Sequence, residues 1–301
     1  MALLAVTGAL LAACSPAPPE MDLARADDDA VAIASFDFPE SVLLAEIYAQ
    51  AVAPAGILVR RELNLGPREV VTPALIAGLV DAVPEYVGTA LAAATGEEDV
   101  PADPAEAERR LREIDAGLGL RLLDAAPAQS QNGLVVTRLT ALTYGLRAVS
   151  DLTSVAGTLV FGGPPECDRR PYCLPGLASV YGLAFERVVP LDSGGPLTVG
   201  ALRAGEVDVA LLFTSDGHLG SPDLVLLHDD KALQPAENVV PVVRQDVVDR
   251  YGAALTARLD LVSAALSTED LVSLNAEVAL HERAPADVAA AWLATEDIVP
   301  P

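Results

Sequence analysis

The chain is poor in the residues that most enzyme chemistry draws on. Among its 301 residues are three His and a single lysine, Lys231. Acid–base work near neutral pH and Schiff-base chemistry therefore have few candidates. No Gly-x-x-x-x-Gly-Lys-Ser/Thr loop, no Gly-x-Ser-x-Gly and no His-Glu-x-x-His occurs, which removes a Walker phosphate cradle and two common hydrolase signatures. Three Cys are too few for a disulfide scaffold, and aromatics are only 4%. Positive charge is scarce as well. Nineteen Lys+Arg against 43 Asp+Glu leave a formal charge of -24, a surface that repels phosphate backbones and argues against nucleic-acid binding. The acidic pairs, such as Asp229-Asp230, read most simply as solvated. What remains is a chain 51% hydrophobic, long enough for one large domain or two ordinary ones. The balance points to binding in place of catalysis, with no cofactor.

The longest apolar run is at the start. Residues 1–13, MALLAVTGALLAA, carry no charge and are too short to span a bilayer, for which about 20 residues are needed. Their length is that of a signal-peptide hydrophobic region. The run closes on LAAC, which resembles the lipobox of bacterial lipoproteins and implies lipidation of Cys14, although no Lys or Arg precedes it. Residues 14–29, with Pro16, Pro18, Pro19 and Asp27 to Asp29, read as a flexible tether. The mature chain is then expected outside the cytoplasmic membrane, anchored by lipid to its outer face, where disulfides persist. Cys167 and Cys173, in PECDRRPYC, have five intervening residues including a Pro and suit a small closed loop. A metal site is the rival reading and would need ligands beyond the three His.

Further along, β-like and helical runs alternate. Val31 to Ser35 reads as a strand, Ser41 to Ala53 as a helix with Leu44, Ile47, Tyr48 and Ala51 on one face, and Leu58 to Leu63 as the next strand. Thr72 to Leu79 reads as a helix and Pro101 to Gly117 as a surface helix. In the middle, Leu134 to Thr137, Thr158 to Phe161 and Val207 to Phe213 read as strands, the last of the buried parallel kind, with a helix from Leu197 to Ala204 closed by Gly205. Leu224 to Leu227 and Val239 to Val243 are two more strands, and from Gln245 the chain is mostly helical, Leu255, Leu259, Val262 and Leu266 marking a buried face. The alternation suggests a parallel α/β sheet.

The stretches FPESVLLAEIYAQ (38–50), LGPREVVTPALIAGLVDAVPEYVGT (65–89), SDL (150–152), GLASVYGL (176–183) and GEVDVALLFTSDG (205–217) together resemble the substrate-binding proteins of osmoprotectant ABC transporters, the glycine betaine/choline group. The resemblance covers nearly all of the mature chain in matching order. It implies an α/β, two-lobed periplasmic-binding-protein fold of type II, each lobe a mixed sheet flanked by helices. Lobe 1 is expected from 30–130 and 218–301 and lobe 2 from 131–217, the helical C-terminus returning to lobe 1. A small quaternary ammonium solute is expected in the cleft, delivered by a monomeric receptor to ABC permease subunits.

A quaternary ammonium donates no conventional hydrogen bond and is held by aromatic faces, each worth roughly 0.5–2 kcal/mol. A ligand carboxylate needs Arg or hydroxyl donors. The resemblance implies a cage wall at Tyr86, a polar contact at Thr89, a second wall at Phe213 and an arginine contact at Arg169 or Arg170, with Phe38 a further wall. Two positions depart from the betaine-binding pattern. Asn132 and Glu237 stand where tyrosines are expected. An anionic Glu237 attracts a cation directly and repels a ligand carboxylate, so choline is as plausible as betaine. A non-ammonium ligand held by Gln131, Asn132 and Thr214 is the alternative, and a transferase-like enzyme or a sensor on a similar scaffold are others. Tyr144, Tyr172 and Tyr181 read as packing or surface residues, and Trp292 as the anchor of a lobe 1 helix.

Overall fold

The computed structural model describes residues 29–96, 100, 101 and 103–299; the expected signal segment, Cys14 and all but the last residue of the expected tether lie outside them. The chain runs β1 (Val31–Ala34), α1 (Pro39–Val52), β2 (Val59–Glu62), α2 (Arg68–Ile76), β3 (Ala82–Tyr86), α3 (Val87–Thr95), α4 (Pro104–Gly117) and β4 (Leu120–Leu122). It continues as β5 (Asn132–Thr137), α5 (Arg138–Tyr144), β6 (Val160–Gly163), α6 (Leu174–Tyr181), β7 (Arg187–Pro190), α7 (Pro196–Ala204), β8 (Val209–Phe213) and β9 (Leu224–Leu226). It ends as β10 (Val239–Arg244), α8 (Gln245–Tyr251), α9 (Ala253–Ala265), α10 (Thr268–Ala279) and α11 (Pro285–Thr295). Among the described residues no helix is long and apolar enough to cross a membrane.

Two five-stranded sheets form, ordered β2-β1-β3-β10-β4 and β7-β6-β8-β5-β9. Neither is purely parallel, as the local alternation suggests. In the first, β1 pairs in parallel with β2 and β3, but β10 enters antiparallel between β3 and β4. In the second, β8 pairs in parallel with β6 and antiparallel with β5. The two antiparallel strands are remote in sequence from their neighbours, so a local pattern cannot show their direction.

Burial explains the layers. β1 reads VAIA and is buried at every position, as a central strand covered on both faces must be. α1 begins at Pro39, the first helical position, where a missing N–H costs nothing. Its Leu43, Leu44, Ile47 and Tyr48 are all under 2% exposed, because α1 is wedged between the sheet and the C-terminal helices. The Tyr48 hydroxyl meets Ser263 of α9 at 3.0 Å. Leu255, Leu259, Val262, Leu266 and Trp292 belong to this same first core. The second sheet carries its own apolar clusters, one around Phe161, Leu152 and Leu177 and one around Val199, Leu202 and Leu212.

The chain joins the two bodies at a narrow waist. The Thr214 N–H donates to the Gln131 carbonyl at 2.8 Å, and the Ser130 N–H donates to the Glu237 carbonyl at 3.0 Å. After β8 the turn Gly217–Gly220 packs on α10, so closely that a Cβ on Gly217 would lie 2.4 Å from the Ala276 nitrogen. The chain then goes back to the second sheet, where β9 pairs with β5. This corrects the expected boundary at 218. Leu224–Leu226 belong to the second sheet, and the chain re-enters the first only between β9 and β10.

Candidate functional site

Between the two sheets lies a cavity of about 760 Å³, within the range of small-ligand pockets. Its aromatic wall is assembled from both bodies. Phe38 sits in the loop before α1, Tyr86 ends β3, and Phe213 ends β8. The rings of Phe38 and Phe213 are 4.9 Å apart at their centroids, and those of Phe38 and Tyr86 are 6.1 Å apart. Phe36 extends the wall, 5.9 Å from Phe38. The Tyr86 side chain is held by its hydroxyl, which donates to Glu40 at 2.7 Å. Burial, then the charge of Glu40, raises the Tyr86 phenol well above its ordinary range, so it stays a neutral donor.

A polar wall faces these rings. Arg68, at the start of α2, makes a two-pronged contact with Glu85: Nε donates to Oε1 at 3.0 Å and Nη2 to Oε2 at 2.8 Å. Nη2 also donates to Thr89 Oγ1 at 2.9 Å, and the guanidinium lies 5.4 Å from the centre of the Phe36 ring. Thr89 in turn donates to Glu237 Oε2 at 3.3 Å. Gly88 makes that last contact feasible, since a Cβ there would come within 2.7 Å of the Pro235 ring in the segment that delivers Glu237. Glu237 is 2% exposed, and its Oε1 has no hydrogen-bond partner among the described residues. Burial pushes its carboxyl up to about 8, against the pull of Arg68.

The rim belongs to the second body. Cys167 and Cys173 are joined by a disulfide with Cα atoms 5.2 Å apart, and both line the cavity. The loop they close carries Arg169, Arg170 and Tyr172. Arg170 reaches across to Glu69 of α2, with Nη2 donating to Oε2 at 2.9 Å, so an ion pair bridges the two bodies at the mouth. Arg169 stands at the edge of the lining, its side chain 62% exposed and 3.8 Å from Asp168. Asn132 lines the cavity and donates to the Tyr172 carbonyl and to Gln234 Oε1, each at 3.2 Å.

Eight of the nine ligand candidates from the sequence therefore line one cavity: Phe38, Tyr86, Thr89, Asn132, Arg169, Arg170, Phe213 and Glu237. Thr214 does not. Its Oγ1 accepts from the Gln131 N–H at 3.0 Å, so the side chain is spent on the waist. Sequence reasoning missed Arg68, Glu85 and Phe36. It also set Tyr172 aside, yet Tyr172 is 7% exposed and lines the cavity. The signal for Arg68 was an arginine directly after Gly66-Pro67, inside the stretch that carries the family resemblance, in a chain short of positive charge. Lys231 lies outside the cavity lining and donates to the Val180 carbonyl at 3.0 Å.

Two mixed α/β bodies closing on a cavity lined from both sides define a two-lobed solute-binding protein. Residues 29–295 match the OpuAC family, the substrate binding domain of ABC-type glycine betaine transport systems, and the chain belongs to that family. The glycine-betaine-binding protein of Pseudomonas aeruginosa is 30% identical over 267 residues, 85% of this chain and 84% of that protein. The carnitine transport binding protein OpuCC of Listeria monocytogenes is 26% identical over 90% of this chain and 88% of its own length. A crystal structure of a glycine betaine/carnitine/choline ABC transporter protein superposes with a TM-score of 0.70 at 26% identity, covering 89% of this chain and 99% of that one. The expected fold class, with a mixed sheet in each lobe, is thus met by both the topology and the relatives.

Proposed function

We propose that the protein is the extracytoplasmic receptor of an ABC importer, that it captures a small quaternary ammonium solute of the glycine betaine, choline or carnitine class, and that it hands this cargo to the permease without transforming it. The observation that carries the reading is the meeting of Phe38, Tyr86 and Phe213, drawn from both bodies, at a cavity that also holds the buried acid Glu237. Ring faces and a carboxylate are the two devices that attract a cation unable to donate a hydrogen bond. The ligand contacts in this reading are the three rings with Thr89, Asn132, Arg170 and Glu237 around them. Anchoring through a lipidated Cys14 and action as a monomer complete it.

Thermal-shift measurements with glycine betaine, choline, carnitine and ergothioneine test the cargo class. At least one ammonium compound is expected to raise Tm, and replacing Tyr86 or Phe213 by Leu is expected to weaken it roughly 2–30-fold, the range of one cation–π contact. If no ammonium compound shifts Tm, the ammonium assignment falls.

A further inference from the structure

The cavity lining is unevenly charged, and its acids are not equivalent. Glu85 is taken by Arg68 and Glu69 by Arg170. Two lining acids, Asp115 and Glu237, keep a buried oxygen with no hydrogen-bond partner among the described residues, and Glu237 is the one tied through Thr89 and Arg68 to the Phe36 ring. The nearest guanidinium, that of Arg68, directs its hydrogen bonds to Glu85 and Thr89 and reaches Glu237 only through its field. Arg68, Glu85 and Thr89 act on the carboxyl, Thr89 through its backbone as well as its hydroxyl. One of its oxygens, Oε2, is met by the Thr89 hydroxyl; the other, Oε1, is buried and has no hydrogen-bond partner among the described residues. A buried acceptor left without a donor is destabilising, so a cargo that brings a donor there gains what one without a donor cannot. The same asymmetry makes hydrogen-bonding sites far more selective than apolar ones.

Resting on the ammonium reading above, we propose that Glu237 reads a hydrogen-bond donor on the cargo: the favoured ligand is a small organic cation with an O–H or N–H for Oε1 to accept. The cargo's positive charge favours the ionised form of the carboxyl once bound, so a fully alkylated zwitterion such as glycine betaine is disfavoured, having no donor to offer and a carboxylate that this charge repels. Glu237 is thereby the specificity-determining residue of the cleft, and the aromatic rings supply the sequence-tolerant attraction to the cationic end.

Titration calorimetry with four ligands of nearly equal size tests this. Choline carries only an O–H, protonated 2-methoxy-N,N-dimethylethylamine only an N–H, O-methylcholine neither, and glycine betaine neither with a carboxylate in addition. At least one donor-bearing ligand is expected to bind at least 10-fold more tightly than O-methylcholine and glycine betaine, and which one does so tells hydroxyl from ammonium hydrogen. Glu237→Met is expected to shrink the gap to under 3-fold. Glu237→Gln, which keeps an acceptor and loses the charge, is expected to retain part of it. Equal binding of O-methylcholine and both donor ligands overturns the inference while leaving the ammonium reading intact, and so does a gap that survives in Glu237→Met. If none of the four binds, the inference falls, and the ammonium reading falls with it only if carnitine and ergothioneine also leave Tm unchanged. Should Glu237→Met not fold, the wild-type comparison still decides, because capping the donor alters the ligand alone.

Discussion

At the residue scale, Glu237 has a consequence for stability as well as for binding. Its folded carboxyl is raised to about 8 by burial, whereas in the unfolded chain it titrates near 4.5. Between those values the folded state holds a proton that the unfolded state has released, so this group's contribution is fully present below pH 4.5 and is lost as pH rises towards 8. Glu237→Gln is therefore expected to raise Tm at pH 8.5 and to leave it nearly unchanged at pH 5, as read by thermal melts at both values. An equal effect at both would refute the assignment of a buried neutral acid. The sequence made Glu237 legible as an exception, because a carboxylate stood where the family resemblance implied a ring. Arg68 was less legible. Its meaning depends on Glu85 and Thr89, brought to it by β3 and α3, and no spacing rule joins an arginine at a helix start to an acid 17 residues on.

At the element scale, the loop closed by Cys167 and Cys173 makes a contact across the rim. It presents Tyr172 to the cavity and Arg170 to Glu69. With a sequence separation of only 6, the disulfide removes about 2 kcal/mol of chain entropy from the open form of this loop. Replacing both Cys by Ser is expected to weaken cargo binding several-fold, because the loop must then be ordered when ligand arrives. Calorimetry on the double variant checks this, and unchanged affinity would show that the rim is ordered without the bond. Elements with strong patterns were legible: β1, α1, α7 and α9 stand close to where periodicity and turn residues put them. The weak ones were not. β4 is three residues long, and α3 reads VGTALAAAT, whose small side chains draw no apolar stripe. The return of β9 to the second sheet is a tertiary choice, invisible to any local window.

At the scale of the whole molecule, Glu40 ties the cleft to the waist. Its carboxylate is 4% exposed and accepts from the Tyr86 hydroxyl, from Ser215 beside the end of β8, and from Asn275 of α10. Ser215 in turn meets Ser130, next to the start of β5, at 2.7 Å. Burial raises this carboxyl, and the hydrogen bonds from Ser215, Tyr86, Ser130 and Asn275 oppose the rise. Truncation at Glu40→Ala strands several buried donors at once, a cost of about 3 kcal/mol or more, and a Tm fall of roughly 6–12 °C is expected for a chain of this size. A Tm within 2 °C of wild type, checked by the same melts, would mean that the waist is held by other contacts, Tm shifts of about 2–4 °C per kcal/mol being usual at this length.

The hydrogen bond between Asn132 and Gln234, 3.2 Å long, has a meaning beyond the cleft. It marks the place where the chain enters the second body and the place where it leaves, side by side. Apart from the turn Gly217–Gly220, which rests on α10, the stretch between them behaves topologically as a cassette spliced into a host, and splices of this kind are tolerated when the ends meet. One stretch of gene could thus be exchanged among relatives, replacing Phe213, Tyr172 and the arginine rim in one event while Phe38, Tyr86 and Glu237 stay with the host. New cargo preferences can arise by recombination of half-sites, without the slow alteration of one residue after another.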